Sequence, residues 1–140
     1  MDWKEALPLL QENHTGVAIS VTPQGRAQST IVSTAVLDGK LGFASRPHTV
    51  KLKNIQRTGR ATVTVIKLDT RRYVTVEGPA AIEPWQDKPS HIKRLKDLYV
   101  AMGRAPKGTD EAFAEQMRDE ERSLVLVTPE RVYGSLRSGA

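Results

Sequence analysis

A chain of 140 residues, 39% hydrophobic and 26% charged, is the size of one domain with a moderate core. It carries no cysteine, which removes disulfides, thiol catalysis and Cys-ligated zinc, and no apolar run approaches the roughly 20 residues that span a bilayer. The formal charge of +5 points to an anionic partner, but only 5% of residues are aromatic, too few for a stacking platform on single strands.

In chain order, Asp2 to Glu12 reads as a short helix. Trp3, Leu7 and Leu10 recur at helical spacing, and Asp2 is placed to cap the first turn. Thr15 to Thr22 is β-branched and apolar, a strand, and Pro23-Gln24-Gly25 is a turn. Arg26 to Leu37 alternates apolar and polar residues as one long half-buried strand. Asp38-Gly39 is a strong hairpin signal, because a two-residue turn needs positive φ at both positions. Lys40 to Ser45 returns as the next strand.

Pro47 to about Arg57 is expected to be a helix, with His48 or Thr49 serving the free amides of its first turn. Leu52 and Ile55 face inward, Lys53 and Arg57 share another face, and Thr58-Gly59 closes the helix. Arg60 to Leu68 and Arg72 to Glu83 are strands joined by a turn over Asp69 to Arg71, and Gly78-Pro79 marks a candidate bulge. Lys88 to Met102 and Thr109 to Glu121 are helices, and Ser123 to Thr128 and Arg131 to Leu136 are closing strands. The whole is six or seven mostly antiparallel strands with inserted helices, an α+β domain around a small barrel, a single unit over residues 1–140.

From Gly39 to Leu68 the chain holds Lys40, Arg46, Lys51, Lys53, Arg57, Arg60 and Lys67 and no acidic residue. Leu41, Phe43, Leu52, Ile55, Val63 and Val65 interrupt the run, so it folds and fixes its charges. Fixed cations on a folded scaffold call for an anionic ligand. No helix-turn-helix or zinc-finger pattern occurs, so neither nucleic acid nor membrane is expected as a partner. Met1-Asp2-Trp3-Lys4 has no basic n-region and no apolar h-region, so a cytoplasmic location is expected.

Catalytic side chains are not apparent. His14, His48 and His91 show no metal spacing, and no metal is expected. Neither G-x-S-x-G, nor G-x-G-x-x-G, nor a phosphate-binding Walker loop is present. Glu77 and Glu83 read as strand residues facing solvent. If the chain is an enzyme, a cofactor does the chemistry and the protein supplies position and electrostatics.

Six segments carry a resemblance: Asn13 to Ala18, Gln24 to Ser29, Gly39 to Phe43, Lys51 to Arg57, Tyr73 to Gly78 and Arg131 to Gly134. Their order and spacing resemble the split β-barrel flavoproteins of the pyridoxamine 5′-phosphate oxidase-like superfamily. Within it they look like the type B flavin/deazaflavin oxidoreductases, which use the deazaflavin coenzyme F420. The likeness implies a homodimeric split barrel with the cofactor in a groove between subunits.

It also implies roles for residues. Thr49 and Lys51 would grip the cofactor phosphate, with Ser45, Arg46 and His48 as neighbouring candidates. Arg46, Lys53, Arg57, and Arg71 or Arg72 of the partner subunit would line the path of a poly-anionic tail. Gln28, Ile31 and Ser33 would lie against the ring, and Tyr73 would reach across the dimer. No role is assigned to the loop Arg104 to Gly108. The implied function is hydride transfer from reduced F420 to an unsaturated small-molecule acceptor: an enone, quinone, nitro compound or biliverdin-like molecule. The alternatives are an FMN-dependent enzyme of the same fold and a non-catalytic protein that binds flavin, F420 or haem.

Overall fold

The computed structural model describes residues 1–137. Helix α1 (Trp3–Glu12) starts on a reciprocal cap: the Asp2 carboxylate accepts the Glu5 N–H at 2.7 Å, and the Glu5 carboxylate accepts the Asp2 N–H at 3.3 Å, satisfying two amides that the helix itself leaves free. Ala6, Leu9 and Leu10 are its buried stripe. Strands β1 (Thr15–Val21) and β2 (Ala27–Ser33) form an antiparallel hairpin, in register from Thr15 opposite Ser33 to Val21 opposite Ala27.

The expected long strand over Arg26–Leu37 is two strands. Thr34 separates β2 from β3 (Ala35–Leu37). Its N–H donates to the His14 carbonyl at 2.8 Å, and His14 Nδ1 lies 2.9 Å from the Thr34 carbonyl. One residue later Ala35 pairs with Gly42 of β4 (Lys40–Ser45). Alternation of polarity runs straight through this point; the change of hydrogen-bonding partner is what divides the strand. The β3–β4 hairpin turns on Asp38 and Gly39, with φ of 55° and 69°, as the two-residue turn requires.

Helix α2 (Val50–Thr58) begins three residues later than Pro47 suggested. The Thr49 hydroxyl accepts the Leu52 N–H at 3.3 Å and so sets the start, while His48, with φ of 63°, cannot continue a right-handed turn backward. Then follow β5 (Arg60–Lys67), β6 (Arg72–Glu83), α3 (Pro89–Ala101), α4 (Asp110–Glu120), β7 (Ser123–Val127) and β8 (Arg131–Ser135).

All eight strands join one antiparallel sheet, ordered β2-β1-β5-β6-β7-β4-β3, with β8 also paired to β6. The end members β2 and β3 are joined through Thr34 alone, so the sheet must curl until its ends meet. Strand β6 carries the curl. Its first part, to Pro79, pairs with β5, and from Ala80 it pairs with β7. The register from Arg60–Pro79 to Lys67–Arg72 is unbroken, so Gly78-Pro79 is a crossing point between sheet halves and not a bulge.

Inward residues of β1, β4, β5, β6 and β7 pack with Leu9 and Leu10 of α1 and Leu52 and Ile55 of α2. A second apolar cluster joins Leu124 and Leu126 of β7 to Leu95, Leu98, Phe113 and Met117 of α3 and α4. Gly42 allows the close approach of α3, since a Cβ there would lie 3.2 Å from Leu98 Cδ1. No helix among the described residues is long and apolar enough to cross a membrane.

Candidate functional site

Where β2 and β4 part beyond Thr34, the barrel wall is open. A cleft of about 250 Å³ lies in this gap, lined on one side by Ile31, Val32 and Ser33 and on the other by Ala44, with Lys51, Tyr99, Met102, Arg104 and Arg122 completing it. The backbone of β2 makes the first wall polar. Arg26 accepts from Thr22, and Thr34 donates to His14, so the even-numbered residues of β2 bond toward β1. By alternation Ser29, Ile31 and Ser33 present their N–H and C=O groups to the open edge.

Lys51 is at the bottom. It sits in the first turn of α2, next to Leu52 on the buried side, and is only 9% exposed. It has no hydrogen bond or ion pair among the described residues, and burial, followed by the nearby Arg122 charge, pushes its ammonium below the ordinary lysine range. A desolvated cation without a counter-charge is costly, and an anion entering the cleft relieves that cost.

Arg122 is aimed by a buried carboxylate. Its Nε donates to Glu120 Oε1 at 2.7 Å, and the Gln116 amide donates to Glu120 Oε2 at 3.1 Å. Burial opposes ionisation of Glu120, but these bonds and the charges of Arg122 and Arg46 outweigh it, holding its carboxyl below the usual carboxylate range. Arg46 is 3.9 Å from the same carboxylate with a mostly exposed side chain, so it is only loosely held. From the other rim, Arg104 Nη1 donates to Ser33 Oγ at 3.0 Å. Three cations, Lys51, Arg104 and Arg122, thus line the cleft, and the Glu120 carboxylate beside it engages Arg122 and, loosely, Arg46. The residues present fit an anionic group such as a phosphate.

A family model described as pyridoxamine 5′-phosphate oxidase matches residues 3–135. The chain belongs to the pyridoxamine 5′-phosphate oxidase family. Among solved structures, it is similar to a conserved hypothetical protein of Mycobacterium tuberculosis, at 22% identity and a TM-score of 0.75, covering 96% of this chain and 84% of that one. It is similar to an F420 reductase at 24% identity and a TM-score of 0.66, over 90% of this chain and 94% of the other. It is likewise similar to a pyridoxamine 5′-phosphate oxidase-related, FMN-binding protein of Nostoc punctiforme, at 20% identity and a TM-score of 0.67, over 94% and 82% of the two chains. At these identities the likeness is one of fold. No curated protein matches the sequence.

In this member of the pyridoxamine 5′-phosphate oxidase family, the residues singled out from the sequence fall into separate places. Ile31, Ser33 and Lys51 line the cleft together, and Arg46 reaches its border through Glu120. Ser45 and Thr49 lie just behind Lys51, with hydroxyls 2.9 Å apart; the Ser45 hydroxyl donates to the Arg46 carbonyl and the Thr49 hydroxyl caps α2. Gln28 is an inward residue. Its amide oxygen accepts from Ser20, whose hydroxyl also accepts from Asn54. Arg57 donates to Asn54 and to the Val21 carbonyl, so it ties α2 to the end of β1. Lys53 is exposed on the outer side of α2.

Arg72 lies near α1 in a shallow cavity with Glu5 and Glu12; its buried Nε has no partner among the described residues. Tyr73 is 37% exposed on the outer sheet face. The acid-free run is therefore not one basic groove. Arg60 pairs with Glu130 at 2.7 Å, and within the run the cleft receives Lys51, with Arg46 at its edge. The cleft's other cations, Arg104 and Arg122, and its lining residues Tyr99 and Met102 come from the second half of the chain. No spacing in the sequence linked them to Lys51.

Proposed function

We propose that the protein binds coenzyme F420 and uses its reduced form to reduce an unsaturated small molecule such as an enone, quinone, nitro compound or biliverdin-like molecule. The observation that carries this is the set of three cations, Lys51, Arg104 and Arg122, lining a cleft whose other wall is a free strand edge. The reduced deazaflavin, when bound, supplies a hydride. The chain's own residues bind and orient. Lys51 and Arg122 would hold a phosphate or carboxylate, and the free N–H and C=O groups of Ile31 and Ser33 would hydrogen-bond the polar edge of a ring. Tyr99 and Met102 would exclude water from one side.

Excess positive charge favours F420 over FMN, because the F420 tail carries a phosphodiester and several carboxylates where FMN carries one phosphate. Fluorescence titration with F420 and FMN in parallel tests the choice. Tighter binding of F420, with turnover of at least one enone or quinone, is expected. Preference for FMN would move the protein to the flavin enzymes of its family, and tight binding without turnover would make it a carrier.

Protonation of Lys51 sets a pH dependence. Its ammonium is below the ordinary lysine value in the free protein, so charge on Lys51, and with it F420 affinity, is lost as pH rises through that lowered value. Lys51→Arg, which stays charged throughout, is expected to flatten the profile. An unchanged profile would remove Lys51 from the site.

The same reading places a second copy against the outer sheet face. Directly opposed Ile31 and Val17, then Thr64, Thr75 and Tyr133, point to that side, opposite the face on which α1 and α2 pack. Ile31 is 77% exposed and Tyr133 37%. Exposed large apolar side chains such as Ile31 and Tyr133 on one sheet face are stabilised by self-association. Tyr133→Asp is expected to convert a dimer to a monomer in sedimentation velocity; a wild-type monomer would refute the assembly.

A further inference from the structure

A second cavity opens beside the first. It measures about 520 Å³, shares Tyr99 and Arg104 with the cleft over Lys51, and continues over Phe113 to Pro106, Lys107 and Gln116. Its size lies within the range of small-molecule sites, and the first cleft, at about 250 Å³, lies just below that range.

The floor of this cavity is aromatic. Tyr99 and Phe113 meet edge to face with centroids 5.4 Å apart, and a flat conjugated molecule laid on such a pair gains contact without ordering a flexible chain. The rim is cationic. Arg104 spends one donor on Ser33 Oγ and has no acidic partner among the described residues. Lys107 has no ion pair there either. The carboxylate bonded to the lining residue Gln116, Glu120, is already shared with Arg122. An aromatic floor with uncompensated cations at the rim suits a planar apolar body that ends in a carboxylate.

We propose that this second cavity is the acceptor subsite, and that the acceptor is a flat conjugated molecule bearing a carboxylate, which Arg104 and Lys107 hold. The proposal rests on reading the protein as a reductase with its cofactor in the adjoining cleft. Arg104 then serves both spaces: it fastens the wall at Ser33 and faces the acid of the acceptor. Lys107 serves only the second.

The test uses the full chain and cinnamate as probe, with cinnamamide as its uncharged counterpart, followed by amide shifts in NMR titration. Cinnamate is expected to bind at least about fivefold more tightly than cinnamamide and to shift amides from Gly103 to Gln116. Lys107→Gln is expected to weaken cinnamate about threefold while leaving F420 affinity within about twofold of the parent. Lys107 is an exposed loop residue, so this variant folds.

Equal affinity for the acid and the amide overturns the proposal, as do shifts centred on Ile31 and Lys51. A Lys107→Gln variant that loses F420 affinity but keeps cinnamate assigns the cavity to the cofactor tail and also overturns it. If F420 does not bind at all but cinnamate behaves as expected, the reductase reading falls and the carboxylate subsite stands.

Discussion

Lys51→Ala is expected to lower F420 affinity by at least about tenfold, the loss that accompanies removal of one charge-assisted hydrogen bond of 1.5 kcal/mol or more. The melting temperature is expected not to fall with it. Lys51 is 9% exposed and lacks a partner among the described residues, and its ammonium is held below the ordinary lysine range by burial and by Arg122. Between that lowered value and the unfolded one, the unfolded chain binds more protons, so charged Lys51 works against folding and stability rises with pH in that window. Alanine removes this cost. Affinity lost with stability kept would mark Lys51 as a group maintained for binding. Titration and calorimetry on the same preparation read both quantities. Unchanged affinity would sink the assignment, and a large fall in melting temperature would make Lys51 a structural residue.

Gly78→Ala is expected to destabilise the fold by about 3 kcal/mol, the upper end for overpacking, or roughly 10 °C in melting temperature. Gly78 is the point at which β6 leaves one half of the sheet for the other. A Cβ there would lie 2.0 Å from the Thr128 carbonyl oxygen and 3.1 Å from Glu130. The opposing segment cannot retreat, since Thr128 N–H donates to Pro79 and Glu130 N–H donates to Glu77. Gly39→Ala is the control. Nothing lies within 4 Å of its added Cβ, but φ is 69°, so a cost of about 1 kcal/mol is expected. Thermal denaturation of the two variants distinguishes them. Equal effects would mean that the crossing tolerates a side chain, contrary to the packing described.

Local rules read the elements well because each element is decided locally. The Asp2 cap, the positive φ of Asp38-Gly39 and the Gly59 end of α2 are backbone facts that a few residues settle. The start of α2 was misjudged because Pro47 and Thr49 are both good first-turn residues, and only the left-handed His48 between them decides for Thr49. The break at Thr34 leaves no mark in polarity, since both strands alternate in phase. It depends on His14, twenty residues earlier, holding the Thr34 backbone at both ends.

The site was legible only on its near side. Ile31 and Ser33 come from the family resemblance alone, and Lys51 from the resemblance together with the acid-free run that holds it. The seven cations between Gly39 and Leu68 looked like one surface, but helix and strand geometry distributes them. Lys51 shares the buried side of α2 with Leu52, whereas Lys53 and Arg57 lie toward solvent, and Arg60 is taken by Glu130 across the sheet.

Composition and periodicity alone establish an α+β barrel that lacks cysteine and carries a net positive charge. They also place Lys51 within a helix that has an apolar inner stripe, although they start that helix at Pro47. Where that charge accumulates was settled by the curling of the sheet. Joining β2 to β3 at Thr34 opens the wall beside Lys51, and the packing of α3, α4 and β7 then delivers Tyr99, Arg104 and Arg122 to the same opening. Charge density along a chain follows composition, but charge density in space follows which distant segments a common core pulls together.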